Sequence, residues 1–306
     1  MSSPLATLTL LALLAISASS ACTRPFLINT TTSYLAAQEA GNPSLFQPFT
    51  LGSPNFIYLE NNQLTTLTAS RLSTSLKVDF SRSIHDTTQC AAFTEIIAAN
   101  DPNPHVIHTR MVFDPATEKA TLIESVVTTT GDWLFNATGT LALNAGEDWT
   151  QLPVGQQASR EEIQTVGDAY FDRFKNVSVT VPWGAPCYRL EGGLPARGEM
   201  QGEECVMVWP STIVVPYRRY VVDETVGAVD LFVGFPGLDR TQGQAAMPDS
   251  HLFRVEGGKI KYLHTASACV VDGCGLNGTT FGNGTVLSKR WLRSLRKGGR
   301  PVPLRA

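Results

Sequence analysis

The chain has 306 residues, 43% of them hydrophobic and 17% charged, with a formal net charge of −3. This composition indicates a globular protein with one large domain or two of ordinary size, and it excludes a disordered chain. A net charge so close to zero gives no general attraction to nucleic acid or to anionic membranes. We therefore expect no nucleic-acid partner.

The first 21 residues are typical of a secretory signal peptide. An uncharged apolar run, LATLTLLALLAISASSA, ends in small residues that suit cleavage after Ala21 and leave Cys22 first. A bacterial lipobox is the alternative, but Ser19 stands where that motif has Leu. No later apolar stretch is long enough to span a bilayer. We expect a protein that is secreted, or held in the lumen of the secretory pathway, without stable membrane insertion.

Six cysteines follow the signal, and an even number in a secreted chain indicates three disulfides. We favour the pairs that keep each bridge within one region: Cys22–Cys90, Cys187–Cys205 and Cys269–Cys274. The spacing of these cysteines is not that of a metal site, so no metal and no cofactor are expected. Glycosylation is predicted at five Asn-x-Ser/Thr acceptors, Asn29, Asn136, Asn176, Asn277 and Asn283.

Local patterns divide the mature chain into two α+β units and a tail. Residues 22–150 contain a predicted helix at TTSYLAAQEA and a strand at FIYLENN, and GDWLFNATGTLALNAGEDW reads as a connecting segment. Residues 151–275 open with a helix at SREEIQTVGDAYFDRF, for which Ser159 is a suitable N-cap. Residues 276–306 are predicted to form a glycosylated, basic, flexible tail.

The two units resemble each other, which suggests a tandem repeat. Leu59-Glu60 recurs as Leu190-Glu191, and Asp86 recurs as Asp223 in the same order. The same comparison aligns His108 with His251 and Glu124 with His264. If Asp114–Glu118 is a five-residue hairpin loop, His108 pairs with Glu124 across that hairpin. The alternative is two unrelated regions that share common hairpin chemistry.

Consecutive antiparallel strands are predicted from Arg218 to Ser267. Turns at Glu224–Gly227 and Gly257-Gly258 close two hairpins, and a two-residue Gly-Gly loop fixes the register of the second. Counted from that loop, His251 pairs with His264 and Phe253 with Tyr262. The two imidazoles would then lie opposite each other on one face.

This register makes His251 and His264 the candidate acid and base, because imidazole titrates near neutral pH. The alternative is a structural pair bonded to backbone or water. Asp223 is a further catalytic candidate, although a carboxylate at a hairpin turn often bonds the local backbone instead. The substrate-binding candidates are Arg219, Tyr262, Phe253, Tyr188 and Asp230, and the alternative for Asp230 is an ion pair with Arg219.

The segments GDAYFDRF, PCYRLEGG, RRYVVDETVGAVDLFVGF and HLFRVEGGKIKYLHT, within residues 160–267, resemble the SnoaL-like branch of the nuclear transport factor 2-like superfamily. The whole chain resembles a secreted version from filamentous fungi, through SRSIHDTTQCAAFTEII and VVTTTGDWLFNAT. The resemblance implies an α+β fold in which a curved antiparallel sheet and its helices form a cone around a pocket. If the two regions are a tandem repeat, the chain has two such units.

The resemblance also implies a function and partners. Catalytic members are cofactor-independent acid/base enzymes, so we expect a secreted dehydratase, isomerase or cyclase acting on a small secondary metabolite such as a polyketide. The alternative is a non-catalytic secreted glycoprotein that binds a ligand, a host or a cell wall. The expected partner is a small molecule, and a homodimer is left open.

Overall fold

The computed structural model describes residues 22–195, 205, 213–236, 246–270 and 274. The predicted signal peptide and the predicted tail, with Asn277 and Asn283, lie outside these residues. The described part is α+β and contains two six-stranded mixed sheets and three α-helices. Among these residues, no helix is both long and apolar enough to cross a membrane.

The first sheet is preceded by one long helix. That helix, α1, begins earlier than the sequence suggested, because Thr23 caps its first turn and Pro25 suits the start of a helix. The elements are α1 (Arg24–Ala40), β1 (Ile57–Glu60), β2 (Gln63–Thr65), β3 (Phe80–Asp86), β4 (Ala91–Ala98), β5 (His105–Asp114) and β6 (Lys119–Thr128).

The second sheet follows two helices. Ser159 and Glu162 form a capping box at the start of α3, as the sequence predicts for Ser159. The predicted connecting segment contains a helix that we did not expect, α2. The elements are α2 (Ala137–Asn144), α3 (Arg160–Arg173), β7 (Trp183–Glu191), β8 (Leu194–Pro195), β9 (Arg219–Asp223), β10 (Ala228–Phe235), β11 (Met247–Glu256) and β12 (Lys259–Ser267).

Both sheets have the same strand order. It is β2-β1-β6-β5-β4-β3 in the first and β8-β7-β12-β11-β10-β9 in the second. In the first sheet β1 runs parallel to β6, and in the second β7 runs parallel to β12. All other neighbouring strands are antiparallel. We call the two halves the first and second repeat.

Each sheet buries one face under its own helix and the other face against the other sheet. Helix α1 packs on one face of the first sheet through Leu27 and Tyr34, and α3 covers the second sheet through Ile163 and Tyr170. The opposite faces share a third apolar cluster, in which the rings of Phe93 and Phe232 lie 6.5 Å apart. The order of layers is therefore helix, sheet, sheet, helix.

Reciprocal ion pairs join the two repeats. Arg24 of the first repeat binds Asp223 of the second through two 2.8 Å contacts, and Arg160 of the second binds Asp86 of the first through two of 2.7 Å. Asp223 Oδ1 also accepts a 3.1 Å hydrogen bond from the Thr225 backbone and a 3.4 Å hydrogen bond from the Val226 backbone. The catalytic candidate Asp223 is thus a buried interface carboxylate, with the turn bonds that its hairpin position suggested.

The hairpin register is one residue away from the prediction. The loop Gly257-Gly258 closes as expected, with φ of 57° and 72° and with Glu256 opposite Lys259. Lys261 then forms a bulge, so that His251 lies opposite Thr265 and His264 opposite Leu252. The prediction that the two imidazoles face each other is wrong, because one extra residue turns the rest of the strand over.

Two more pairings differ from expectation for related reasons. Phe253 lies opposite Leu263 rather than Tyr262. In the first repeat a bulge at Thr121, together with a four-residue loop, puts Val126 opposite His108, and Glu124 faces Arg110.

The structure joins Cys22–Cys90, Cys187–Cys205 and Cys269–Cys274, which are the pairs favoured above.

Candidate functional site

The two predicted histidines lie on opposite faces of the second sheet. His251 points toward α3, where the rings of Tyr170, Phe171 and Phe253 lie within 6.2 Å of it, measured between ring centroids. His264 points into the space between the sheets. They cannot act as one acid/base pair.

His251 is a neutral side chain in a closed core. It is 3% exposed, and burial, with a further contribution from Arg189, holds the pKa of His251 well below its ordinary value. Its Nδ1 lies 3.3 Å from Asp249 Oδ2 without the alignment of a hydrogen bond. Burial raises the pKa of Asp249 well above its ordinary value, and Ser267 donates a 2.6 Å hydrogen bond to it. Because the His251 imidazole is neutral at neutral pH, this contact is not a salt bridge.

His264 lies between two carboxylates from different parts of the chain. Its Nδ1 is 3.1 Å from Glu95 Oε1 on β4, and its Nε2 is 2.8 Å from Glu147 Oε2 after α2. Burial alone would lower the pKa of His264, but Glu147 and Glu95 raise it to about 9. The ring is therefore an imidazolium at neutral pH.

Glu95 is the buried member of this group. It has no exposed surface, and Arg82 Nη1 donates a 2.8 Å hydrogen bond to its Oε2. Burial would raise the pKa of Glu95, yet the charge of His264 is the main cause that lowers it well below its usual range. Glu95 therefore stays ionised.

A polar chain continues behind Glu95 into the space between the sheets. His108 Nε2 is 3.4 Å from Glu95 Oε1, a long contact without hydrogen-bond alignment. His108 Nδ1 is 2.8 Å from Ser250 Oγ, and Ser250 donates to Asp230 Oδ1 at 2.8 Å. Burial raises the pKa of Asp230 well above its ordinary value. The predicted pair between Asp230 and Arg219 is wrong, because the register puts Asp230 opposite Val221, and Arg219 binds Glu124 at 2.7 Å.

Glu147 also borders a cleft of about 250 Å³. Among the described residues the cleft is lined by Ala142, Leu143, Gly146, Glu147, Tyr188, Arg189, Leu190 and Tyr262. It therefore brings an acid, a guanidinium and two phenol rings to one opening. The cleft lies between α2 and the strands β7 and β12, which run side by side.

Aromatic rings connect the cleft to His264. Tyr188 and Tyr262 have centroids 5.8 Å apart, and Trp149 stacks on Tyr262 at 5.8 Å and lies 5.6 Å from the His264 ring. Arg82 lies 4.3 Å from the Trp149 ring centroid. Such rings offer flat apolar walls beside a charged group, a combination that suits a small organic ligand.

The candidates from the sequence are thus divided among different places. Tyr188 and Tyr262 line the cleft, and His264 lies behind Glu147. Phe253 belongs to the α3-side core, and Asp223, Asp230 and Arg219 lie between the sheets.

Sequence reasoning missed Glu95, Glu147 and Arg189. A signal existed for Glu95, because a carboxylate inside the apolar run AAFTEIIAA needs a buried partner. Glu147 gave no comparable signal, since it lies in a polar loop and meets His264 across 117 residues.

Comparisons with known proteins give little information about function. A family model described as "Domain of unknown function (DUF8021)" matches residues 156–267. No curated protein matches the chain. The solved structure of PrhC from Penicillium brasilianum NBRC 6234 is similar at 9% identity and a TM-score of 0.25, covering 34% of this chain and 82% of PrhC.

Proposed function

We propose that the protein is a secreted, cofactor-independent acid/base enzyme that acts on a small molecule in the cleft beside Glu147. The observation that carries this proposal is the shared border of the cleft: the Glu147 carboxylate and the Arg189 guanidinium open onto the same space, with the His264 imidazolium behind Glu147.

The chemistry that fits is proton transfer at a carbon next to a carbonyl group. Glu147 takes the proton, and the electron pair of the broken C–H bond moves to the carbonyl oxygen as an enolate. Arg189 stabilises the negative oxygen, as a preorganised cation does in such reactions. Glu147 then returns the proton to another carbon, which gives an isomer, or a hydroxide leaves from the β-carbon and takes up that proton as water, which gives a dehydrated product.

His264 keeps Glu147 in place during these steps. Its charge balances the carboxylate and its Nε2 holds one carboxylate oxygen, so Glu147 has a fixed direction. Tyr188 and Tyr262 would stack on the substrate and exclude water. We propose that the protein acts in secondary metabolism as a dehydratase, isomerase or cyclase, with a polyketide as substrate.

We propose further that each repeat has the SnoaL-like cone, and that the mature protein is exported. The common strand order and the single long helix on each sheet support the first proposal. Three disulfides support the second, because disulfides persist in oxidising compartments.

The test is metabolite profiling with purified protein and a culture extract of the source organism. We expect one component to be converted to an isomer or to a product that has lost one water. Glu147→Gln should abolish the conversion, while Glu60→Gln, which alters a half-buried carboxylate bonded to the Arg71 backbone, should retain it. Conversion of no component by the wild-type protein, or equal conversion by Glu147→Gln, would reject the enzyme.

A second candidate function is non-catalytic binding of a ligand in the same cleft. It is favoured by the pairing of the charges around the opening, since Glu147 is paired with His264 and Arg189 with Glu191. Native mass spectrometry separates the two functions. A ligand from the extract that is retained unchanged indicates binding alone.

A further inference from the structure

Glu95 belongs to the first repeat but acts on a side chain of the second. It meets His264 at 3.1 Å across 169 residues of sequence. The contact forms in the space between the sheets, where both side chains are almost fully buried. Neither repeat by itself therefore contains the group Glu95, His264 and Glu147.

The equivalent place in the other repeat does not contain this group. The common strand order and register make Phe232 the counterpart of Glu95, Glu124 that of His264, and Arg219 that of Arg82. There Glu124 binds Arg219 at 2.7 Å and Arg110 at 2.6 Å. Because Phe232 fills the counterpart position, packing of two such sheets does not require a carboxylate there.

We propose that Glu95 is a positioning residue of the cleft site, which holds His264 so that Glu147 is presented to the cleft. The site is complete only when the two repeats are packed together. This inference rests on the proposed function for its catalytic consequence, but the control of His264 by Glu95 can be measured without any substrate.

Four titratable groups and one aromatic ring surround His264. Glu95 on β4 and Glu147 after α2 favour the imidazolium. Arg82 on β3 opposes a positive charge on His264, and His108 on β5 does so only when His108 itself is protonated. Trp149 covers one side of the ring. Burial lowers the pKa of His108, so this histidine is neutral when His264 titrates.

The experiment is an NMR titration of the histidine side chains in the full chain. The chain has five histidines, and His264→Gln identifies the resonance of His264. We expect Glu95→Gln to lower the titration midpoint of His264 by about 1–3 pH units, the usual effect of one adjacent opposite charge. Glu60→Gln, a carboxylate of the first repeat that bonds the Arg71 backbone, should leave that midpoint unchanged.

Each outcome decides the inference. An unchanged His264 midpoint in Glu95→Gln overturns it, whether or not the protein has activity. A lowered midpoint with undiminished conversion of the cleft substrate overturns the positioning role. If Glu95→Gln does not fold, Glu95→Asp keeps the charge at a greater distance and should lower the midpoint by less. If the wild type converts nothing, the proposed function fails separately, and the midpoint still shows whether Glu95 controls His264.

Discussion

Replacing His264 with glutamine removes the imidazolium that lies between Glu95 and Glu147. An ordinary histidine has a pKa of 6.5, and the folded protein raises that of His264 to about 9. Each unit of difference is worth about 1.4 kcal/mol, so the charged form contributes about 3 kcal/mol to folding. Because His264 is 1% exposed, solvent screening does not reduce this figure much.

The sign of the pH dependence follows from proton binding. Between pH 6.5 and about 9 the folded state holds a proton on His264 that the unfolded state has released. The stabilisation is therefore fully present below pH 6.5 and is lost as the pH rises through 9. Burial also raises the pKa values of Asp230 and Asp249, whose contributions likewise fall with rising pH.

The assay is urea unfolding of the wild type and His264→Gln at pH values from about 6 to about 9.5. Comparing the two proteins at each pH removes the contributions of Asp230 and Asp249, which both proteins share. The difference in unfolding free energy should shrink by about 3 kcal/mol across this range. A difference that stays constant would refute the imidazolium between two carboxylates.

Three further predictions concern the rest of the molecule. Arg24→Ala and Arg160→Ala should each cost about 3 kcal/mol in urea unfolding, because each leaves a buried interface carboxylate without its cation, and unequal costs would argue against equivalent roles. Replacing Cys22 and Cys90 together by serine should cost about 4 kcal/mol, since that bridge closes a loop of 68 residues; a loss below about 1 kcal/mol would contradict this. Peptide mapping of the purified protein should find glycans at the exposed Asn29 and Asn176 and none at the half-buried Asn136, and a glycosylated Asn136 would contradict this prediction.

Turn and cap chemistry made part of the fold predictable. Glu224–Gly227, Gly257-Gly258 and Ser159 each occupy the place that local sequence indicates, because these motifs are decided within a few residues. Short-range bonding of this kind leaves a clear pattern in the sequence.

The register beyond those turns was not predictable in the same way. Nothing in KIKYLHT distinguishes Lys261 as a bulge, and the bulge alone decides which face His264 occupies. Thr121 forms the same bulge in the first repeat, so a correct alignment of the repeats would still have given the same error in both.

The site was hidden for a different reason. Glu95, His264 and Glu147 come from the first repeat, the second repeat and the segment between them, and only the packing of one sheet against the other brings them together. Helix α2, which forms one wall of the cleft, has the weak sequence signal ATGTLALN, with two threonines and a glycine in eight residues.

Deuterium incorporation tests the central claim most directly, because a proton that Glu147 takes from carbon is replaced by deuterium when the Glu147 carboxyl exchanges with solvent before the proton returns. The protein would be incubated with the culture extract in D₂O, and the mass of each component followed. We predict that the wild type and Glu60→Gln introduce deuterium into one component or its product, and that Glu147→Gln does not. Incorporation by Glu147→Gln equal to that of the wild type would contradict the role of Glu147 as the base.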